Sequence, residues 1–225
     1  MTVSETSFSS LGLANEVVDN LESLGYQEMT AIQAISLPEI LAGKDVIAKS
    51  KTGSGKTAAF GLGLLAQLEV KRFYIQAMVL CPTRELADQV SKEIRRLARS
   101  THNVKVLTLC GGKALGPQIG SLEHGAHIIV GTPGRIEDHI KKGRLAADQL
   151  KLLVLDEADR MLEMGFQPSL DTIIASLPNK RQTLLFSATY PKEIASMAEK
   201  ITHQPQFIEI DTEHHDNVIT EQVYE

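Results

Sequence analysis

Short apolar runs alternate with longer amphipathic stretches along most of the chain, and this alternation limits the folds available to it. Seven such runs are predicted as strands, at residues 45–49, 77–81, 104–109, 127–130, 152–155, 183–186 and 207–210. Helices are predicted between them, at residues 56–68, 84–98 and 193–200. Strands without a polar face are typical of parallel sheets that helices cover on both sides. The pattern therefore predicts an α/β fold with a doubly wound, mostly parallel sheet and helices on both faces.

The two ends of the chain lie outside this alternation. Residues 1–43 are predicted to form a helical N-terminal segment, and residues 44–211 the sheet-containing domain. Residues 212–225 are polar and are interpreted as the start of a linker to a further domain. His214 and His215 lie there without Cys or a spaced His partner, so a solvated linker is favoured over a metal site.

Composition excludes several classes of protein. A net charge of −5 argues against strong non-specific attraction to nucleic-acid phosphates, although a few oriented contacts stay possible. No apolar run reaches the roughly 20 residues that span a bilayer, and the polar N-terminus does not resemble a secretory signal. Cys81 and Cys110 are far apart and form no CxxC pair. We therefore expect reduced core thiols, no membrane partner and a cytoplasmic location.

A glycine-rich turn follows the first predicted strand and precedes a predicted helix, which is the context of a P-loop. Glycines allow backbone N–H groups to surround a phosphate at the N-terminus of a helix. Lys56 is predicted to neutralise the β- and γ-phosphates, and the Thr57 hydroxyl to bind Mg²⁺. The alternative is a flexible Gly/Ser loop beside a lysine. The candidate nucleotide-binding residues of this loop are Ser50, Lys51, Thr52, Gly53, Ser54, Gly55, Lys56 and Thr57.

A second candidate site follows the buried run at residues 152–155, where the chain continues with four residues that include three carboxylates. A carboxylate at the end of a strand beside a P-loop is typical of a Walker B site, which holds Mg²⁺. Asp156 is therefore assigned to the metal, and Glu157 to the water that attacks the γ-phosphate. A solvated helix start is the alternative, but the preceding P-loop favours a catalytic role for Lys56, Asp156 and Glu157.

The tetrapeptide at residues 156–159 is the one that names the DEAD-box RNA helicases, and other motifs of that family occur in the expected order. They are GYQEMTAIQ at 25–33, with Phe8 upstream, PTRELA at 82–87, GG at 111–112, TPGR at 132–135 and SAT at 187–189. From Phe8 to about residue 210, the chain resembles the N-terminal RecA-like domain of a DEAD-box ATP-dependent RNA helicase. This resemblance implies ATP and Mg²⁺ as cofactors and RNA as a partner.

The resemblance also implies roles near the nucleobase. Gln33 would read adenine, since one amide offers a donor and an acceptor, and it would reject guanine. Tyr26 would stack near the base and Phe8 would belong to the same site, although an aromatic residue at position 26 could also be an ordinary core residue. Met29 stands where most of the family has proline.

Two further groups of residues have implied roles. Ser187 and Thr189 would form hydrogen bonds with Asp159, which would couple the nucleotide state to the domain interface. The implied RNA-backbone contacts are Thr83, Arg84, Gly112, Thr132 and Arg135. Without the resemblance, each of these five would more often be structural, and Arg84 could pair with a helix carboxylate.

No HRxGR-like motif occurs in the sequence. In the family, this motif lies on a second RecA-like domain and supplies arginine fingers, so we expect this chain alone to bind nucleotide and hydrolyse it very slowly. The residues around the motifs resemble those of the DbpA subgroup, which acts on ribosomal RNA. This resemblance implies a role in ribosome biogenesis. A nucleotide-gated RNA clamp and an unrelated P-loop enzyme are the alternatives. An intact Glu157 argues against the first, and the motifs at 25–33 and 187–189 against the second.

Overall fold

A computed structural model describes residues 6–210, and within this range the chain forms one seven-stranded sheet in which every pair is parallel. The strands are β1 Val46–Lys49, β2 Ala77–Leu80, β3 Val106–Leu109, β4 Ile128–Gly131, β5 Leu152–Leu155, β6 Gln182–Ser187 and β7 Gln206–Glu209. Their order is β3-β4-β2-β5-β6-β1-β7. All seven predicted strands are present, and none of their ends is shifted by more than two residues, so the predicted α/β fold is confirmed.

Helices cover both faces of the sheet. They are α1 Asn15–Ser23, α2 Ala31–Leu41, α3 Lys56–Ala66, α4 Arg84–Leu97, α5 Leu115–Glu123, α6 Pro133–Lys141, α7 Ala158–Glu163, α8 Gln167–Ala175 and α9 Lys192–Ile201. The three helices predicted individually correspond to α3, α4 and α9, and the predicted helical N-terminal segment contains α1 and α2. Within residues 6–210, no helix is long and apolar enough to cross a membrane.

The core consists of two hydrophobic layers, one on each face of the sheet. Strand β5 shows the reason, since Leu152 and Val154 pack with helices α1 to α4, while Leu153 and Leu155 pack with α6 to α9. Cys81 and Cys110 are free and buried, as expected for core thiols. Met29 is also buried, and its N–H donates to the carbonyl of Thr6 at 2.7 Å, a bond that proline could not make. His214 and His215 lie outside the described residues.

The strand order sorts the predicted motifs into two groups. Because the strands are parallel, all of their carboxyl ends lie at one edge of the sheet. The loops that follow β1, β5 and β6, which are adjacent strands, carry residues 50–57, 156–159 and 187–189. The loops that follow β2, β3 and β4 carry residues 82–84, 111–112 and 132–135. We call these two groups of loops the nucleotide half and the RNA half of the edge, after the predictions made for them.

Candidate active site

The glycine-rich loop of the nucleotide half contains two glycines with positive φ angles, a conformation that glycine adopts readily. Gly53 and Gly55 have φ values of 83° and 95°, which L-residues rarely adopt. A Cβ at Gly55 would lie 2.6 Å from Nε2 of Gln33, so the loop and α2 are in close contact. Ser50 is buried, does not require a positive φ and donates its N–H to the carbonyl of Ser187 at 2.9 Å. Serine is therefore accommodated where the general motif has glycine.

Lys56 and Asp156 form a buried ion pair at the base of this loop. Nζ lies 3.0 Å from Oδ1, and the two residues are 4% and 0% exposed. Burial raises the pKa of Asp156, and the ammonium of Lys56 opposes that change. Apart from this pair, the ammonium and both carboxylate oxygens make no hydrogen bond within residues 6–210. Buried polar groups with so few partners are typical of a site that a ligand completes.

The same residues suit Mg²⁺. Asp156 and Thr57 both line a cleft of about 370 Å³ beside the loop, and both offer oxygen atoms. No cluster of three or more His, Cys, Asp or Glu able to hold a metal occurs in the described part of the chain. This arrangement fits Mg²⁺, which typically uses one or two carboxylates and takes its other ligands from water and substrate phosphates.

Glu157 is the N-cap residue of α7 and has a strained backbone conformation. Its φ is 54°, in the left-handed region that a non-glycine residue rarely occupies. The side chain is buried, and each of its oxygens has a partner. Oε1 accepts from the Thr52 hydroxyl at 3.0 Å, and Oε2 pairs with Nη1 of Arg160 at 3.0 Å. Such strain is common at functional sites, and the partners of Glu157 differ from the Lys56 partner of the preceding Asp156.

Asp159 connects α7 to the loop that follows β6. Its N–H donates to Oγ of Ser187 at 3.2 Å, and its Oδ2 accepts from the N–H and the hydroxyl of Thr189, both at 2.9 Å. The predicted hydrogen bonds are therefore present. Burial acts to raise the pKa of Asp159, but the hydrogen bonds from Thr189 and Ser187 outweigh it and lower the pKa.

The residues predicted to contact the base differ in their access to the cleft. Tyr26 lines it. Phe8 is 2% exposed, and its ring packs edge-on against Tyr26 at a centroid distance of 6.0 Å. Gln33 is 1% exposed, its Oε1 accepts from the N–H of Thr30 at 2.9 Å, and its Nε2 donates to the carbonyl of Gly55 at 3.0 Å. Adenine recognition by Gln33 and Phe8 thus stays a prediction, and it requires Gln33 to exchange these partners.

The predicted residues of the glycine-rich loop differ in whether they line the cleft. Thr52, Gly53, Gly55, Lys56 and Thr57 line it, whereas Ser50, Lys51 and Ser54 do not. Lys51, which belongs to the same loop, is exposed to solvent.

The RNA half brings its five predicted residues to one side of the edge. Thr83 caps α4 by accepting from the N–H of Leu86 at 3.2 Å. Arg84 is exposed and forms no ion pair with any residue from 6 to 210, so the predicted alternative of a carboxylate partner is not found there.

The loops of this half contact each other through arginine side chains. Gly112 has a φ of 73°, and a Cβ there would lie 2.2 Å from Nη1 of Arg84. Arg135 donates through Nη1 to the carbonyl of Lys113 at 3.4 Å. Thr132 is buried at the start of α6. Hydroxyls, a glycine and two arginines are groups that can contact a phosphate backbone without reading bases.

Sequence reasoning missed several residues that support the site. Thr30 donates its hydroxyl to the carbonyl of Ser54 at 2.8 Å, and its spacing from Gln33 is that of a capping box, a signal the sequence did contain. Gln118 donates to the carbonyl of Cys110 at 3.1 Å, before the GG motif. Glu93 accepts from the hydroxyl of Tyr26, a residue 67 positions away. Only the folded chain reveals these last two contacts.

Comparison with known proteins gives consistent matches. A family model described as DEAD/DEAH box helicase matches residues 30–197. The ATP-dependent RNA helicase DbpA of Escherichia coli K12 is 56% identical over 221 residues, which cover 98% of this chain and 48% of DbpA. The DEAD-box ATP-dependent RNA helicase CshA of Geobacillus kaustophilus is 45% identical over 205 residues, covering 91% of this chain and 44% of CshA. The chain thus spans about half the length of these relatives.

A solved structure also matches. It is that of a DEAD box protein from the hyperthermophile Methanococcus jannaschii, with a TM-score of 0.87 and 40% identity. The match covers 91% of this chain and 56% of that one.

Proposed function

This chain belongs to the DEAD/DEAH box helicase family, and from that premise we propose that it is the ATP-binding half of an ATP-dependent RNA helicase. In the whole protein, RNA-stimulated hydrolysis of the β–γ bond of ATP would drive local RNA unwinding. The observation that carries the proposal is the arrangement of the sheet edge. One half holds the buried pair of Lys56 and Asp156 at the base of the P-loop, and the adjacent half presents Arg84 and Arg135.

Each residue of the nucleotide half has a proposed task. The loop N–H groups and Lys56 bind the phosphates, while Thr57 and Asp156 hold Mg²⁺. When bound, Mg²⁺ offsets the negative charge of the β- and γ-phosphate oxygens. Glu157, already oriented by Thr52, positions the attacking water and accepts its proton. Because these contacts serve hydrolysis, they favour the helicase over the alternative of a nucleotide-gated RNA clamp.

The wider role is also a proposal. We propose ribosomal RNA as the target and ribosome biogenesis as the process. The support is the similarity of the residues around the motifs to those of the DbpA subgroup. A cytoplasmic location is supported by the free, buried thiols of Cys81 and Cys110. We propose residues 44–211 as the RecA-like ATP-binding domain, with residues 1–43 as the segment that carries the Q motif. Residues 212–225, proposed as the start of a linker to a second RecA-like domain, lie outside the described range.

Calorimetric titration with ADP and GDP in Mg²⁺ tests the nucleotide assignment. We expect ADP to bind and GDP not to bind, with selectivity lost in Gln33→Ala and affinity lost in Lys56→Ala. Equal binding of both nucleotides would contradict adenine recognition by Gln33. ADP affinity that is unchanged in Lys56→Ala would contradict the P-loop assignment.

Comparison of this chain with the whole protein tests the helicase assignment. An arginine finger contributes roughly 10³- to 10⁵-fold to the rate in related phosphoryl-transfer enzymes. We expect a difference of that order in RNA-stimulated ATP turnover, because the proposed fingers lie on the second domain. Rapid RNA-stimulated turnover by this chain alone would contradict the proposal.

A further inference from the structure

Helix α4 forms one wall of the nucleotide cleft. Leu86, Gln89, Val90 and Glu93 line the cleft from this helix, and only Leu86 belongs to a motif named above. Glu93 differs from the others because it makes a specific contact with a residue of the proposed base site. Its Oε1 accepts a hydrogen bond from the hydroxyl of Tyr26 at 2.5 Å.

Three contacts hold Tyr26 in place. Its N–H donates to the carbonyl of Leu21 at 2.9 Å, which fixes the backbone. The ring of Phe8 packs against it with an interplanar angle of 81°, and Phe8 is itself buried. The hydroxyl is bound to Glu93, so the far end of the ring is fixed as well. A phenylalanine at this position would keep the first two contacts and lose the third.

Glu93 is itself held in place. Its second oxygen, Oε2, accepts from Nη1 of Arg96 at 2.8 Å, one turn further along α4. Its side chain is only 18% exposed, so water competes little for the carboxylate. Burial, followed by the hydrogen bond and charge of Glu93, raises the pKa of the Tyr26 hydroxyl, which therefore stays protonated and able to donate.

We propose that Glu93 is a positioning residue, which holds the ring of Tyr26 by its hydroxyl in the orientation on which a nucleobase stacks. The inference rests on the proposed function, because it assumes that the cleft binds a nucleotide. Aromatic stacking depends on the relative orientation of the rings, and a fixed ring loses less freedom when the base binds. Glu93 therefore acts through Tyr26 and affects only ligands that carry a base.

Four variants of this chain distinguish the contribution of the Tyr26 hydroxyl to ligand affinity from that of its acceptor, Glu93. Tyr26→Phe removes the hydroxyl alone, Glu93→Ala removes the acceptor, and the double variant removes both. Glu93→Gln keeps an acceptor oxygen and is the conservative rescue. Lys92→Ala is the matched control, since Lys92 is an exposed neighbour of Glu93 that does not line the cleft.

Affinity is measured for ADP and, as a ligand without a base, for pyrophosphate, both with Mg²⁺. A hydrogen bond of this kind is expected to change ADP affinity by roughly 3- to 10-fold, so Tyr26→Phe and Glu93→Ala should each weaken it by that factor. The double variant should be no weaker than either single one, because the two residues form one interaction. Glu93→Gln should keep most of the affinity, and pyrophosphate affinity should be unchanged throughout.

Three results would overturn the inference. They are unchanged ADP affinity in Glu93→Ala, additive losses in the double variant, and a parallel loss of pyrophosphate affinity, which would indicate a general structural role. If ADP affinity depends on Lys56 but not on Glu93, this inference fails and the proposed function stands. If the wild-type chain does not bind ADP, or binds it independently of Lys56, both fail.

Discussion

The two halves of the sheet edge differ in how their charged side chains are placed. In the nucleotide half, Lys56, Asp156 and Glu157 are buried and already paired within the protein. In the RNA half, Arg84 is exposed without an ion pair among residues 6–210, and Arg135 donates to the carbonyl of Lys113 at 3.4 Å. Hydrolysis needs charges that are fixed before the reaction begins, because they stabilise a transition state without reorganising. Binding of a phosphate backbone needs only accessible positive charge.

The two halves also differ in the free-energy cost of desolvating their charged groups. Removal of charges from water is expensive, so buried charges need partners in every state of the protein. Exposed arginines keep their hydration until a ligand replaces it. Helix α4 spans both halves, since it begins at Arg84 and carries Glu93 about two and a half turns later. If the two halves act separately, a substitution in one half should leave ligand binding at the other half unchanged.

Glu157→Gln in the whole protein should give the largest effect. RNA-stimulated ATP turnover should fall by roughly 10²- to 10⁴-fold, the usual contribution of a general base. ADP affinity should change little, because Lys56 and the loop are intact. Steady-state turnover and ADP calorimetry on the same preparation measure both quantities. An equal loss of binding and turnover would assign Glu157 a structural role.

Arg84→Ala and Arg135→Ala should affect only the RNA half. Each should weaken binding of single-stranded RNA to the whole protein by about tenfold and reduce the slope of log affinity against log salt by about one. ADP affinity should be unchanged. Arg99→Ala, an exposed arginine beyond the far end of α4, is the control and should have no effect. Loss of ADP affinity in either variant would show that the halves are not separable.

Asp159→Asn should lower the free energy of unfolding by about 1 kcal/mol at pH 7, because it weakens the two hydrogen bonds that Thr189 donates to the carboxylate. The pKa of Asp159 is lowered in the folded chain, so its contribution is complete above the unfolded pKa of about 3.9 and is lost as the pH falls through the folded pKa. The difference from wild type should therefore shrink below about pH 4. Denaturant titrations at pH 7 and pH 3 measure it, and a constant difference would contradict the assignment.

A matched change in the RNA half provides the comparison. Asp88 forms an exposed ion pair with Lys113 at 2.8 Å. Asp88→Asn should change the free energy of unfolding by less than about 0.5 kcal/mol, since exposed pairs contribute little.

Ser50→Gly should have the smallest effect on nucleotide binding. Ser50 has no positive φ, and its main contact is a backbone hydrogen bond that glycine would also make. ADP affinity should stay within about twofold of wild type, while extra freedom of the unfolded chain should lower stability by roughly 0.5 kcal/mol. A large gain in ADP affinity would mean that serine impairs the loop.

The sequence predicted local features well because their causes are local. Strand β5 is apolar on both faces, and this pattern is enough to predict a covered parallel strand. The strand order was not predictable, since it depends on how distant segments pack, and it is this order that separates the two halves. The same reason applies to Glu93 and Gln118, whose partners are distant or lie in other loops. Gln33 is a different case. Its side-chain amide is predicted to bind adenine, but in the structure it forms hydrogen bonds with Thr30 and Gly55 of the same chain.

Hydrogen–deuterium exchange of this chain with and without ADP and Mg²⁺ tests the division of the edge most directly. Exchange reports protection of backbone N–H groups loop by loop, so it locates the ligand without any substitution. We expect ADP to slow exchange at residues 50–57 and 156–159, and to leave residues 111–114 and 132–135 unchanged. Slower exchange at residues 111–114 and 132–135, or no protection of residues 50–57, would contradict the assignment of a nucleotide half and an RNA half.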